Sequence, residues 1–344
     1  MGRRRWYSGR VSESNLQILL KKRPVGAARE SDFEVREAAP PDPGDGEVLV
    51  RQRFMSLDPA MRGWMNDRRS YVPPVGLGDV MRAYGVGEVI RTRSDSFAEG
   101  DLVLGLLGWQ RYAALEARHL QPVPAGIDPK LALGPLGMTG ITAYFGLLDI
   151  ARPTAGDTVL VSGAAGAVGS MVGQIAKIEG CRAVGIAGGE EKCRWLLDEV
   201  GYDAVIDYKA PGNLYAKLAE ACPSGVDVFF DNVGGETLDT ALRLINRRAR
   251  VVICGAISIY NATERPEGPA NYLHLLVKSA RMECFIVLDF KDRYSEALAA
   301  LGEWLAAGRL VYRFHVVDGL ENAPSALGML FDGSNHGKLL IRVD

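Results

Sequence analysis

The apolar positions change their rhythm partway along the chain. Up to about residue 120 they fall in short alternating runs, as in Glu47 to Phe54 and again in Asp101 to Leu115. Such alternation predicts half-buried strands. The segments 40–46 and 122–126 are rich in Pro and Gly and read as turns between them, so the first part of the chain is predicted to be all-β or β-rich.

Beyond about residue 128 short apolar runs alternate with stretches of helical period. The predicted strands are Thr158 to Ser162, Arg182 to Ala187, Ala204 to Asp207, Val226 to Asp231, Arg250 to Cys254 and Met282 to Val287. Between the second and third, Cys193, Leu196, Leu197 and Val200 share one helix face by their i, i+3, i+4, i+7 spacing. Six strands with helices between them predict a doubly wound parallel sheet. A helix is expected from about Asp292 to Gly308, after which strand-like text returns and ends in Lys338 to Ile341. This tail is expected to rejoin the first domain. The division that follows is α/β, with residues 1–127 completed by 310–344 as one domain and 128–309 as the other.

The strand Thr158 to Ser162 runs into Gly163-Ala164-Ala165-Gly166-Ala167-Val168-Gly169 and then into an amphipathic helix. Small residues at such a turn let the backbone approach a pyrophosphate, whose charge meets the helix N-terminus. A bare glycine pattern would also suit plain tight packing; five more strands at the right intervals turn the reading toward a dinucleotide site. An NAD site usually ends its second strand with an acid for the ribose 2′-OH. Here that strand ends Gly185-Ile186-Ala187-Gly188-Gly189, and Lys192 follows within the first helical turn, where an ammonium could meet a 2′-phosphate. NADPH is therefore expected over NADH, provided Glu190 and Glu191 point to solvent.

Composition narrows the partners. With 40 basic and 42 acidic residues the net charge is −2, so no long-range field favours nucleic acid or an anionic membrane. The hydrophobic content of 47% can fill two cores. No apolar run approaches a membrane span or a secretory signal, and a cytoplasmic protein is expected. The basic cluster Arg3, Arg4, Arg5 and Arg10 reads as a solvated tail. Five widely spaced cysteines argue against a disulfide framework and read as reduced, mostly packed thiols. The first 180 residues hold no cysteine and one histidine, His119. Nothing there resembles the Cys and His set that zinc prefers, and no metal is expected.

Several segments together carry a resemblance that covers nearly the whole chain. They are Ser56-Leu57-Asp58-Pro59-Ala60-Met61-Arg62, Gly137 to Tyr144, the glycine turn, Asp231-Asn232-Val233-Gly234-Gly235, Cys254-Gly255-Ala256-Ile257-Ser258-Ile259-Tyr260-Asn261, and Gly333-Ser334-Asn335-His336-Gly337-Lys338. In these the chain resembles the zinc-independent medium-chain dehydrogenase/reductases, in the branch of the prostaglandin, alkenal and curcumin reductases. The resemblance implies a GroES-like β domain, a Rossmann domain and a homodimer. It also implies reduction by NADPH of the C=C bond of an α,β-unsaturated ketone or aldehyde. Lys192 and Tyr208 would contact the 2′-phosphate, and Gly163, Ala164, Gly166, Ala167, Val168 and Gly169 the pyrophosphate region. Asn232, Cys254, Ile257, Ser258, Tyr260, Phe285, Val287 and Asn335 would hold the rest of the cofactor. Tyr84, Trp109 and Met138 are pocket candidates by resemblance, with core packing as the alternative for each. The family commonly has Tyr where Ala60 stands, so a pocket wall should differ.

Tyr260 lies just past the strand ending at Cys254, where ligands of such sheets bind. Hydride delivery to the β-carbon leaves charge on the carbonyl oxygen. A phenol, with a pKa near ~10, can donate a hydrogen bond to that developing enolate. The plainer reading is an aromatic that packs the ribose. Two other functions remain open at this level: a quinone reductase of the same fold, and a redox sensor that binds NADPH without turnover.

Overall fold

The computed structural model describes residues 14–343; the basic cluster Arg3 to Arg10 lies outside them. Six parallel strands form one sheet in the spatial order Ala204–Asp207, Arg182–Ala187, Thr158–Ser162, Val226–Asp231, Ile245–Ile253 and Arg281–Cys284. The first three run backwards through the sequence and the last three forwards. The order therefore reverses between Thr158–Ser162 and Val226–Asp231, and a crevice opens there at the carboxyl ends of the strands.

The apolar runs explain why this sheet is buried on both faces. Val159, Val161, Val228 and Phe230 pack into one core with Phe145, Met171 and Leu196. Their neighbours Leu160 and Phe229 pack into another with Val184, Ile186 and Leu238. Successive residues of a strand point to opposite faces, and here both faces meet helices. A run without polar alternation is what such a strand requires.

The other body is β-rich. Its seven-stranded sheet has Glu47–Ser56 near its middle, flanked by Gly85–Thr92 and by Lys338–Arg342, with Leu340 opposite Ser56. The tail strands Phe314–Asp318 and Lys338–Arg342 thus join residues from the start of the chain. Asn15–Leu20 and Phe33–Ala38 form a separate antiparallel pair.

Some boundaries differ from the sequence reading. The expected strand Arg250 to Cys254 starts at Ile245, because the polar run Asn246 to Arg248 hides a register shift in which Arg248 takes a positive φ of 63°. The strand expected over Met282 to Val287 is Arg281–Cys284, and Phe285 to Val287 leave the sheet to line the crevice. Asp101 to Leu115 is two strands, Leu102–Gly105 and Tyr112–Glu116, with a loop between. On the helix after Gly189, a widened turn at Leu196–Val200 leaves Leu197 42% exposed while Leu196 and Val200 stay buried. The helix expected from Asp292 is Tyr294–Ala306, entered through a tighter turn at Val287–Arg293.

Candidate active site

The crevice begins at the glycine turn. Gly163 has φ of 59°, in the left-handed region that favours glycine. A side chain on Gly169 would put its Cβ 2.3 Å from the Gly163 carbonyl oxygen and 2.8 Å from Ala164 Cα, so the turn closes only over a bare backbone. The helix Ala167–Ile178 starts here, and its first N–H groups have no partner within the helix. Gly163, Gly166, Ala167, Val168 and Gly169 all line the crevice. Ala164 does not: it is fully buried and its N–H is engaged by the Ile186 carbonyl at 3.0 Å. It packs the turn against the next strand, so a role as a direct contact is corrected.

At the tip of that next strand two ammonium groups share one turn. Lys192 Nζ donates to the Gly333 carbonyl at 2.7 Å and Lys209 Nζ to the Asp332 carbonyl at 3.4 Å. A Cβ on Gly333 would lie 3.7 Å from Lys209 Nζ, 3.9 Å from Lys192 Nζ and 3.9 Å from the Tyr208 hydroxyl. Burial and then the neighbouring Lys209 hold Lys192 below its usual range. The Asp332 carboxylate also acts on both ammonium groups and Glu191 on Lys192, but the hydrogen bonds of both lysines go to carbonyls, and two ammonium groups at one turn fit a site for an anion such as a nucleotide 2′-phosphate. Glu190 and Glu191 are no obstacle, since their side chains are 83% and 69% exposed and face Arg194 and Arg313. Lys209 escaped the sequence reading; its place directly after Tyr208 was the available signal.

Asp231 organises the floor. It is fully buried, accepts from the Ser162 hydroxyl at 2.6 Å, and takes the N–H groups of Val233 and Gly234 at 3.0 and 3.1 Å. Burial pushes its carboxyl up and these bonds oppose the shift. Asn232 is fixed beside it by Nδ2 donating to the Ser162 carbonyl at 2.7 Å. The following loop lies along this segment: Cys254 N–H donates to Asp231 O at 2.9 Å, Ile257 N–H to Asn232 O at 3.2 Å and Ser258 N–H to Val233 O at 3.1 Å. Ser258 Oγ also donates to the Val233 carbonyl at 2.6 Å. Ser258 therefore braces the loop and is not among the residues lining the crevice.

This loop turns Tyr260 back on itself. Its phenolic oxygen accepts the Ala256 N–H at 3.2 Å, which leaves the hydroxyl proton to be donated elsewhere. Burial raises the phenol above its usual range, and Cys254, Tyr71 and Asp231 push the same way. It is a neutral donor at physiological pH. Cys254 beside it is also neutral, its thiol pushed up to about 12 by burial.

Between the two bodies these parts enclose a crevice of about 520 Å³. Tyr84, Met138, Asn232, Cys254, Ile257, Tyr260, Phe285, Val287 and Asn335 all line it, together with the glycine turn. Trp109 does not. It is fully buried and stacks on Phe33 at 5.3 Å between ring centroids, in the core of the first body. The loop after Leu102–Gly105 turns its indole inward, which corrects its assignment to the pocket. The structure adds lining residues that sequence reasoning missed, among them Tyr294, whose hydroxyl donates to the Val287 carbonyl at 3.1 Å. It also adds Lys338, whose amine reaches Asp58 Oδ1 and Ser56 Oγ at 2.6 Å each.

Among the described residues no group of three or more His, Cys, Asp and Glu side chains could hold a metal ion, and no helix is long and apolar enough to cross a membrane. Cys181 and Cys222 are buried and Cys284 is exposed.

Residues 16–123 match the model for the N-terminal domain of oxidoreductases, and residues 167–303 match that for zinc-binding dehydrogenases. The NADPH-dependent curcumin reductase of Escherichia coli (strain K12) is 42% identical over 97% of this chain and 99% of its own. Prostaglandin reductase 1 of Bos taurus is 40% identical over 94% and 97% respectively. Among solved structures, CurA from Vibrio vulnificus in complex with NADPH is 45% identical, with a TM-score of 0.91 over 96% of this chain and 99% of that one.

Proposed function

This chain belongs to the zinc-independent medium-chain dehydrogenase/reductases, in the branch of the prostaglandin and curcumin reductases, and from that membership and the crevice we infer that it reduces the C=C bond of α,β-unsaturated ketones or aldehydes. It is an NADPH-dependent oxidoreductase. When bound, NADPH supplies the hydride that adds to the β-carbon. The glycine turn and the N-terminus of Ala167–Ile178 would receive the pyrophosphate, and Lys192, Tyr208 and Lys209 the 2′-phosphate. Asn232, the Cys254 to Tyr260 loop and Asn335 would hold the rest.

The observation that carries the reading is the engaged oxygen of Tyr260. With the Ala256 N–H on its lone pair, the phenol is oriented before substrate arrives, and its proton can meet the carbonyl oxygen as charge develops there. A donor fixed in advance has little reorganisation left to do in the transition state. The mainly apolar wall of Leu136, Met138, Ile141, Phe285 and Leu298 excludes water and strengthens that bond. Incubation with NADPH and either an enone or a quinone tests the reading. Consumption of the enone with a product two hydrogens heavier and its carbonyl intact is expected. Turnover of the quinone alone would replace this reading with quinone reduction.

The pairing of Lys338–Arg342 with Glu47–Ser56 supports taking 310–344 with 1–127 as one domain. Among the described residues the strand Arg281–Cys284 pairs on one side only, and Tyr272, Leu273, Leu276 and Val277 before it are exposed. An open strand edge beside apolar side chains supports a homodimer, to be checked by mass measurement in solution.

A further inference from the structure

Among the described residues three charged side chains line the crevice: Asp58, Arg82 and Lys338. Two of them neutralise each other. The buried Lys338 amine donates to Asp58, to Ser56 Oγ and to the Leu57 carbonyl at 3.2 Å, and the Ser56 hydroxyl donates to the other oxygen of Asp58. Arg82 has no carboxylate partner among the described residues. Its guanidinium sits 5.5 Å over the Trp64 ring, and Nη1 donates to the Pro73 carbonyl at 3.0 Å. The indole beneath it is itself held, since Trp64 Nε1 donates to the Tyr71 hydroxyl at 3.1 Å. A guanidinium carries five N–H donors in a planar fork, so one carbonyl leaves most of them available.

The geometry points to Arg82 as a specificity residue that favours enones bearing a carboxylate away from the double bond, an inference that rests on the reductase reading above. An uncompensated cation on a mainly apolar wall is matched by an anion on the ligand. A fixed, weakly hydrated fork suits a carboxylate, which it can meet with two parallel bonds. The cofactor's phosphates have their own cations in Lys192 and Lys209. Beside Arg82 the wall consists of Trp64, Tyr71 and Val72, which suits an alkyl or aryl chain joining the carboxylate to the enone. Ala60, one turn before Trp64 on the same short helix, adds only a methyl group there.

A remote contact of this kind binds ground state and transition state alike, so it acts on KM and leaves kcat unchanged. The test compares an enone ending in a carboxylate with its methyl ester, at low and high ionic strength. The acid is expected to be preferred by about tenfold in kcat/KM at low salt, all of it in KM, with the preference shrinking at high salt. Arg82→Gln should erase the preference by lowering kcat/KM for the acid to that for the ester, and Arg82→Lys should keep part of it. Equal kcat/KM for acid and ester in the wild-type enzyme overturns the assignment, as does a preference that survives Arg82→Gln. If Arg82→Gln fails to fold, the salt dependence of the wild type and the behaviour of Arg82→Lys decide. Reduction of neither compound overturns the reductase reading, and this inference with it; reduction of both at equal rates overturns this inference alone.

Discussion

At the end where the nucleotide is proposed to lie, the crevice is made largely of backbone, a glycine turn and a helix terminus that follow one another within residues 163–178. At the end proposed for the reaction it is made of side chains brought from far apart, Tyr84, Met138, Tyr260 and Phe285 among them. The first end depends on what is missing, since a single added Cβ collides with main chain. The second depends on what is present, and each side chain can be exchanged while the frame stays. Change at the first should therefore abolish binding, and change at the second should tune chemistry or selectivity.

The sharpest way to break this contrast is Gly169→Val. Its Cβ would meet the Gly163 carbonyl at 2.3 Å with no flexible neighbour to give way, and overpacking of this sort costs about 1–3 kcal/mol or more. NADPH binding, followed by fluorescence titration, should weaken by about 100-fold or be lost. An unaltered Kd would show that the turn does not hold the cofactor.

Tyr260→Phe probes the other end. The ring and its packing stay and the hydroxyl goes, so NADPH affinity should hold while kcat on a small enone falls by about 10²-fold. Unchanged kcat, or a loss explained wholly by weaker NADPH binding, would return Tyr260 to a packing role. The same phenol sets an alkaline limit. It must be protonated to donate, and burial raises its pKa, so kcat should stay level through the ordinary phenol range near ~10 and fall only above it. An earlier fall that is absent in Tyr260→Phe would contradict the raised pKa.

Lys192→Ala gives a smaller and selective effect. NADPH loses one charge-assisted contact and NADH loses none, so the ratio of their KM values should move by about tenfold. Lys209 is left to hold the phosphate and limits the loss. Equal changes for both cofactors would remove Lys192 from the 2′-phosphate site. The smallest effect expected is none at all: prolonged treatment with a zinc chelator should leave turnover intact. Chelator-sensitive turnover restored by zinc would contradict this.

What the sequence by itself determined is what local interactions set. The runs Thr158 to Ser162 and Val226 to Asp231 are legible as strands from their apolar centres, Val159-Leu160-Val161 and Val228-Phe229-Phe230, and the glycine turn is legible from the small residues that follow the first of them. Tertiary structure decided the rest. Trp109 and Ala164 looked like site residues and are packing, because burial depends on what a fold lays over a side chain. Lys209 joins Lys192 only through a turn 123 residues further on. Lys338 and Asp58 meet across 280 residues, leaving Arg82 as the one cation on the wall without a carboxylate among the described residues. Pairings at that separation leave no period or spacing in the chain, since they are set by which strands and loops the two cores bring together, and only the folded molecule records them.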